Sequence, residues 1–149
     1  MEFDPNTRPP LNVLLVEDNL VDIILFKEAL EEIHVNCELQ VARDGEEALR
    51  GLRGECGNFV RPDLIFLDLN LPKKNGLQVL QEIKADSELR TIPIVVLTTS
   101  KSLKDTSEAY RLHAISYIVK PRGIDAYIEF AEIILKYWGA LVVRPQSLK

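Results

Sequence analysis

The sequence predicts an α/β protein with a doubly wound parallel sheet of five strands and five helices. Short, wholly apolar runs such as 13–16, 64–67 and 94–97 are typical of strands buried on both faces. Between these runs, apolar residues recur at helical spacing. Regular alternation of strands and helices favours a parallel sheet covered on both sides. Right-handed crossovers then bring the carboxyl ends of all strands to one edge.

The composition fits one domain and makes two kinds of partner unexpected. Of the 149 residues, 46% are hydrophobic, which is enough for one core. The net charge of -5 argues against a nucleic-acid surface, which usually requires a basic face. There is no signal peptide and no apolar run of membrane-spanning length, so we expect a cytoplasmic protein without a membrane partner.

The chain begins with an expected flexible arm over residues 1–10. Strand 12–16 follows, and Asn19 is expected to cap a helix over 20–33. Three apolar residues of this helix lie outside its core-facing stripe: Val21, Ile24 and Leu25. They could contact neighbouring elements or form a docking surface for a partner helix.

The middle of the chain is expected to add two further strand–helix units. Strand 37–42 precedes Asp44-Gly45, a turn and cap that starts a short helix over 46–53. Strand 64–67 is followed by a loop rich in asparagine, proline and glycine. A helix over 76–86 follows that loop.

The last third is expected to complete the sheet. Strand 92–97 precedes a weakly amphipathic helix over 102–112, and strand 114–119 precedes a helix over 123–138 that is unusually apolar. We expect a folded domain over 11–139 and a C-terminal tail over 140–149.

Polar side chains stand at the carboxyl ends of four predicted strands. Glu17 and Asp18 end the first strand, Asp68 the third, Thr98 the fourth and Lys120 the fifth. Any one of them has a simpler interpretation, for example Asp68 as a helix cap or Lys120 as an ion-pair partner. Together they indicate a binding site, because ligands of open α/β sheets bind at this edge.

Clustered carboxylates repel one another, so a cation is needed to balance them. Oxygen ligands without Cys or His suit Mg²⁺ above all, with Mn²⁺ as the alternative. Asp18 and Asp68 are the best candidate ligands, the Asn70 carbonyl is a third, and Glu17 would act through water or in an outer shell. An aspartate beside Mg²⁺ can accept a phosphoryl group, whose oxygens Lys120 and Thr98 would bind.

In order and spacing, these residues resemble the receiver domain of two-component response regulators, over about residues 11–138. The resemblance implies a flavodoxin-like fold with strand order 2-1-3-4-5. It also implies a function for each residue: Asp68 as phosphoacceptor, Glu17, Asp18 and the Asn70 backbone at the Mg²⁺ site, Thr98 as switch hydroxyl, Lys120 as phosphate contact, and Tyr117 as the aromatic that reorients with Thr98. A cis bond at Lys120-Pro121 is implied as well.

Three stretches, 61–76, 96–100 and 137–145, are similar to single-domain regulators that pair with bacterial phytochromes. This narrower resemblance implies a sensor histidine kinase of the phytochrome type as partner. The protein is then expected to be a signalling protein, not an enzyme, that catalyses only its own phosphoryl transfer and dephosphorylation. A Mg²⁺-dependent phosphatase would need a second aspartate at position 70, where Asn70 stands instead.

The last helix carries more apolar residues than one sheet can cover. A core-facing stripe is expected to contain Ile128, Ala131, Leu135 and Trp138; four more apolar residues lie partly outside it, namely Phe130, Ile133, Ile134 and Tyr137. The resemblance favours a homodimer through the fourth helix, fifth strand and fifth helix. The alternative is that 141–145 folds back over the apolar patch.

Overall fold

A computed structural model describes residues 8–145, and five parallel strands in this range form one sheet in the order 2-1-3-4-5. The strands are β1 (Leu11–Val16), β2 (Cys37–Ala42), β3 (Leu64–Leu67), β4 (Ile94–Thr98) and β5 (Ser116–Val119). The helices are α1 (Leu20–Glu32), α2 (Gly45–Leu52), α3 (Gly76–Ala85), α4 (Leu103–Arg111) and α5 (Gly123–Lys136), and a π-helical turn, Tyr137–Leu141, continues from α5. The predicted fold class and strand order are confirmed. Among the helices within 8–145, none is both long and apolar enough to cross a membrane.

The helices lie on the two faces of the sheet, as the alternating pattern predicts. One core forms between the sheet and helices α1 and α5, and the other between the sheet and α2, α3 and α4. The Asn19 side chain accepts the backbone N–H of Asp22 at 3.1 Å and so caps α1 as predicted. With the helices packed on the two faces, the carboxyl ends of the strands form one edge of the sheet that can carry a site.

Phe130 lies in the core, so the prediction that it stands partly outside the core-facing stripe of α5 was wrong. Its ring contacts those of Phe26 and Phe66 edge to face, with centroids 6.2 and 5.7 Å away, and only 9% of Phe130 is exposed. The stripe is centred between Tyr127 and Ala131, because edge-to-face aromatic packing draws that side of the helix onto the sheet.

The end of the predicted flexible arm is held by the C-terminal segment. The Arg144 guanidinium donates to the carbonyls of Pro9 and Pro10 at 2.7 and 3.0 Å and pairs with the Asp63 carboxylate at 3.0 Å. Arg8 in turn donates to main-chain carbonyls of the C-terminal segment. Residues 8–10 are therefore anchored rather than frayed, because buried ionic groups require these partners. Residues 1–7 and 146–149 lie outside the described part of the chain, so the arm and tail there remain predictions.

Gly76 allows α3 to start directly against the strand end that carries Asp68. A Cβ placed on Gly76 would lie against the Asp68 carbonyl oxygen and 2.5 Å from the Leu69 Cα, both of which are backbone atoms that cannot easily move.

We expect Gly76→Ala to lower the free energy of unfolding by about 1–3 kcal/mol, the usual cost of overpacking. Urea unfolding measures this. Gly57→Ala is the control, since nothing lies within 4 Å of its Cβ position, and equal stability of both variants would contradict the prediction.

Candidate functional site at the carboxyl ends of the strands

Strand pairing brings the acidic residues to one level of the sheet. β1 and β3 are parallel neighbours in which Val16 is paired with Leu67. The residues that follow, Glu17 and Asp68, therefore leave the sheet side by side, and both side chains are almost fully buried. Asp18 is half-buried next to them. The predicted meeting of these carboxylates at one edge agrees with the geometry.

Lys120 is the cation that this cluster contains. Its ammonium nitrogen lies 2.8 Å from Glu17 Oε1, 2.9 Å from Asp68 Oδ2 and 2.9 Å from Asp22 Oδ2, and 7% of the side chain is exposed. Burial acts to lower the pKa of Lys120, but the hydrogen bonds to Glu17, Asp68 and Asp22 outweigh it and raise that pKa. The ammonium is therefore charged at every physiological pH.

The Lys120–Pro121 peptide bond is trans, as are the other peptide bonds within 8–145, so the prediction of a cis bond was wrong. The backbone N–H of Lys120 donates to the Thr98 carbonyl at 2.8 Å and extends the pairing of β5 with β4. From that position the long lysine side chain reaches the carboxylates without a cis bond. Trans is also the cheaper isomer for a bond that precedes proline.

The carboxylates share their protons unequally. Burial, followed by the hydrogen bond with Asp68, raises the pKa of Glu17 to about 8. Burial also acts to raise the pKa of Asp68, but hydrogen bonds from Glu17, from the Lys120 ammonium and from the Asn70 N–H hold it below its ordinary value. At neutral pH Asp68 is ionised, and its neighbour Glu17 tends to keep a proton when no metal is bound.

The same carboxylates fit a divalent cation. Glu17, Asp18 and Asp68 each offer an oxygen, and these three atoms lie within 4.8 Å of one another. The set contains no sulfur or imidazole ligand, which suits a hard ion such as Mg²⁺ or Mn²⁺. Burial is the main reason that the pKa of Glu17 is raised, and a bound cation would favour the ionised form of this carboxyl.

We expect the stability of the metal-free protein to fall as pH rises from about 5 to 8. The pKa of Glu17 is about 8 in the folded protein, above its ordinary 4.5, so the folded state keeps a proton that the unfolded chain releases. The stabilisation that this proton provides is complete below the pKa of Glu17 in the unfolded chain and is lost by about pH 8. The free energy of unfolding should fall by at most about 1.4 kcal/mol per pH unit in between. The lowered pKa of Asp68 acts only at more acidic pH.

Urea unfolding in EDTA across this pH range measures the effect. Glu17→Gln is the control, since it removes the titrating group and should flatten the profile. Saturating Mg²⁺ should flatten the wild-type profile too, because a cation favours the ionised carboxylate. A metal-free wild type whose stability stays level or rises over this range would contradict the prediction.

Three predicted site residues remain, namely Asn70, Thr98 and Tyr117. Asn70 is exposed, and its N–H donates to Asp68 Oδ1 at 3.1 Å. Thr98 is the last residue of β4 and is fully buried. The Tyr117 hydroxyl donates to the Ser100 carbonyl at 2.9 Å, and the Ser100 N–H lies 3.5 Å from Thr98 Oγ1. Ser100 thus stands between Thr98 and Tyr117.

Sequence reasoning missed Asp22. Its side chain starts from the first turn of α1, and one oxygen contacts Lys120 while the other accepts the Tyr127 hydroxyl at 3.1 Å. An acidic residue in the first turn of a helix is ordinary, because it interacts favourably with the helix dipole. The sequence therefore contained no signal that distinguished Asp22 from a simple helix-start residue.

Residues 13–132 match the family model of the response regulator receiver domain, and the chain belongs to this family. A relative from Synechocystis sp., Response regulator Rcp1, is 42% identical over 143 residues, which cover 95% of this chain and 97% of Rcp1. The solved structure of the Mn(2+)-bound form of Rcp1 is similar with a TM-score of 0.84 and 41% identity, covering 91% of this chain and 99% of that one.

A second solved structure, the phosphorylated cyanobacterial phytochrome response regulator RcpA, has a TM-score of 0.85 and 43% identity. The match covers 92% of this chain and 99% of RcpA. The probable methanogenesis regulatory protein FilR2 of Methanothrix harundinacea is 42% identical over 130 residues, which cover 87% of this chain and 84% of FilR2. The chain is thus a signalling protein of the two-component type.

Proposed function

We propose that this protein is a single-domain response regulator of a phosphorelay, which accepts a phosphoryl group on Asp68 from a histidine kinase and thereby switches its binding to partners. The observation that carries the proposal is the position of Asp68. Its ionised carboxylate lies against the Lys120 ammonium and within the acidic cluster of Glu17 and Asp18. The match to 97% of the length of Rcp1, a response regulator, supports the proposal.

The chemistry is the transfer of a phosphoryl group from a phosphohistidine nitrogen to a carboxylate oxygen. An oxygen of Asp68 attacks the phosphorus, the O–P bond forms as the N–P bond breaks, and the histidine ring leaves. The Lys120 ammonium and the Thr98 hydroxyl bind the phosphoryl oxygens. Mg²⁺, or Mn²⁺ in its place, supplies further positive charge when it is held by Asp18, Asp68 and the Asn70 carbonyl, with Glu17 in the outer shell or bound through water. Water would later hydrolyse the acyl phosphate at the same site.

The kinase partner is proposed to be of the phytochrome type, acting in the cytoplasm. RcpA, the 43% identical relative, is described as a phytochrome response regulator. Leu20, Val21 and Ile24 are 45–64% exposed on α1, which begins directly beside the site. An apolar face there fits the docking of a kinase helix that presents its histidine to Asp68. Movement of Thr98 and Tyr117 towards the bound phosphoryl group would carry the signal away from the site.

Phosphorylation with a small donor tests the function directly. The protein is incubated with acetyl phosphate and Mg²⁺, and its intact mass is followed. We expect the gain of one phosphoryl group, its loss on treatment with hydroxylamine as expected of an acyl phosphate, and no gain in EDTA. A protein that stays unmodified in Mg²⁺ would contradict the proposal, and equal labelling in EDTA would contradict the requirement for metal.

The protein is further proposed to form a homodimer through α4, β5 and α5. Large apolar side chains are exposed on all three elements and on the π-helical turn that follows α5: Leu103, Tyr110, Val119, Ile133 and Tyr137. Ile133 is 63% exposed and Tyr137 51%, so the segment 141–145 does not cover them as the alternative supposed. Apolar surface of this kind usually marks an interaction site, and a two-fold axis would bring two copies of it together.

We expect Ile133→Glu to weaken this dimer at least about tenfold, because each copy would place a charge in an apolar interface. Light scattering at a series of protein concentrations, with and without acetyl phosphate, measures the mass. Val60→Glu is the matched control, because Val60 is also exposed but precedes β3 and belongs to none of α4, β5 and α5. A wild type that remains monomeric in both states would rule out the dimer.

A further inference from the structure

The Lys120 ammonium has three partners, and one of them lies outside the acidic cluster. An ammonium group carries three donors, and here one is directed to each of Glu17, Asp68 and Asp22. Glu17 and Asp68 belong to the group of oxygens that could hold a metal ion, whereas Asp22 does not. Asp22 is therefore the partner of Lys120 that a bound cation would leave in place.

Asp22 also links Lys120 to the core of α5. Its second oxygen, Oδ1, accepts the hydroxyl of Tyr127, a residue of α5 that is 1% exposed. Burial, and next the charge of Asp22, raise the pKa of Tyr127, so this hydroxyl stays protonated and donates to the carboxylate. Both oxygens of Asp22 are thus held by hydrogen bonds, and the carboxylate has a defined orientation.

Phosphorylation would change the other two partners of Lys120. Formation of an acyl phosphate removes the negative charge of the Asp68 carboxylate, and a cation competes with the ammonium for Glu17. The amine must nevertheless stay within reach of the phosphoryl oxygens during transfer. The Asp22 carboxylate, which is held in place by Tyr127, would keep the amine within that reach.

We propose that Asp22 is a positioning residue for phosphoryl transfer. It holds the Lys120 ammonium beside Asp68 when a cation competes for Glu17 and a phosphoryl group is bound to Asp68. The proposal rests on the proposed function of Asp68. A purely structural ion pair between α1 and the end of β5 would affect stability but not the position of the amine in the metal-bound protein. The two interpretations therefore differ in what happens to the Lys120 ammonium on addition of Mg²⁺.

The test combines a rate with a spectroscopic signal. The variant is Asp22→Asn, which keeps the size of the side chain and an acceptor for Tyr127 but loses the charge. Glu28→Gln, an exposed change on the same helix, is the matched control. Phosphorylation by acetyl phosphate is timed at a temperature where all proteins are folded, and the Lys120 ammonium is observed by nitrogen-15 NMR with and without Mg²⁺.

We expect Asp22→Asn to be phosphorylated about tenfold more slowly, the size of one hydrogen bond between charged groups. Its Lys120 ammonium signal should broaden or disappear in Mg²⁺, whereas wild type and Glu28→Gln should keep it. Tyr127→Phe, which retains the charge of Asp22, should slow transfer by no more than about threefold, because it loses one hydrogen bond to that carboxylate.

Two results would overturn the proposal. One is a wild-type rate in Asp22→Asn, with or without loss of the Lys120 signal, and the other is a slowed variant with an unchanged Lys120 signal. The NMR measurement does not require phosphorylation. If wild type fails to accept a phosphoryl group, the function of Asp68 is wrong, and the signal in Mg²⁺ still shows whether Asp22 holds the amine.

Discussion

Asp68→Asn protein should gain no phosphoryl group from acetyl phosphate and Mg²⁺ under conditions in which wild type is modified. The carboxamide has the shape of the carboxylate, but it lacks the anionic oxygen that attacks phosphorus. The variant loses only one of the three carboxyl partners of Lys120 and keeps Glu17 and Asp22, so it should remain folded. The measurement is intact mass over time. Most of the wild-type protein should carry the label, whereas the labelled fraction of Asp68→Asn should equal that of an untreated sample.

The control for this change is Asp125→Asn, an exposed aspartate in the first turn of α5 that should be labelled like wild type. If Asp68→Asn is labelled at the wild-type rate, the acceptor is another carboxylate. Asp18 is then the residue to examine, because it lies in the same cluster and is more exposed than Asp68. Peptide mapping after reduction of the acyl phosphate with borohydride would identify it.

Arg144→Ala should lower the free energy of unfolding by about 3–5 kcal/mol, the usual cost of removing one partner from a buried ion pair. Only 2% of Arg144 is exposed, and its guanidinium joins the carbonyls of Pro9 and Pro10 to the Asp63 carboxylate. The substitution removes all three contacts and leaves Asp63 without this guanidinium. Urea unfolding monitored by circular dichroism measures the difference.

A double variant separates the charge from the packing. Replacing both members of a buried ion pair with apolar residues is often neutral or stabilising. Asp63→Leu combined with Arg144→Met should therefore recover more than half of the loss. If Arg144→Ala is within about 0.5 kcal/mol of wild type, as for an ordinary surface substitution, the C-terminal segment does not stabilise the domain. Phosphorylation of Asp68 should be unaffected, because this ion pair lies near the starts of β1 and β3, at the opposite end of the strands.

The sequence by itself determined the fold class and most of the candidate site. Apolar runs such as Leu64–Leu67, bounded by turn residues, are typical of strands buried inside a sheet, and parallel strands place the residues that follow them at one edge. Because these strand ends are local features of the chain, the pattern of residues alone assigns five side chains to one site: Glu17, Asp18, Asp68, Thr98 and Lys120. The close approach of Glu17 and Asp68 follows from the pairing of β1 with β3.

Only the tertiary structure decided the contacts between residues far apart in the chain. Asp22 and Lys120 are 98 residues apart, and Asp63 and Arg144 are 81 apart. A charged residue in a sequence pattern looks the same whether it faces water or a buried partner. The difference arises when α1 packs against α5 and when the C-terminal segment crosses the starts of the strands, where burial without a partner would be costly.

The position of Phe130 and the trans bond before Pro121 were decided in the same way. A helical wheel cannot show which part of a largely apolar helix faces the sheet, since the rotation of α5 depends on how its rings pack against Phe26 and Phe66. With the bond before Pro121 in trans, the Lys120 side chain still reaches the carboxylates from the end of β5. That reach is a property of the assembled sheet, in which β5 is separated from β1 by β3 and β4.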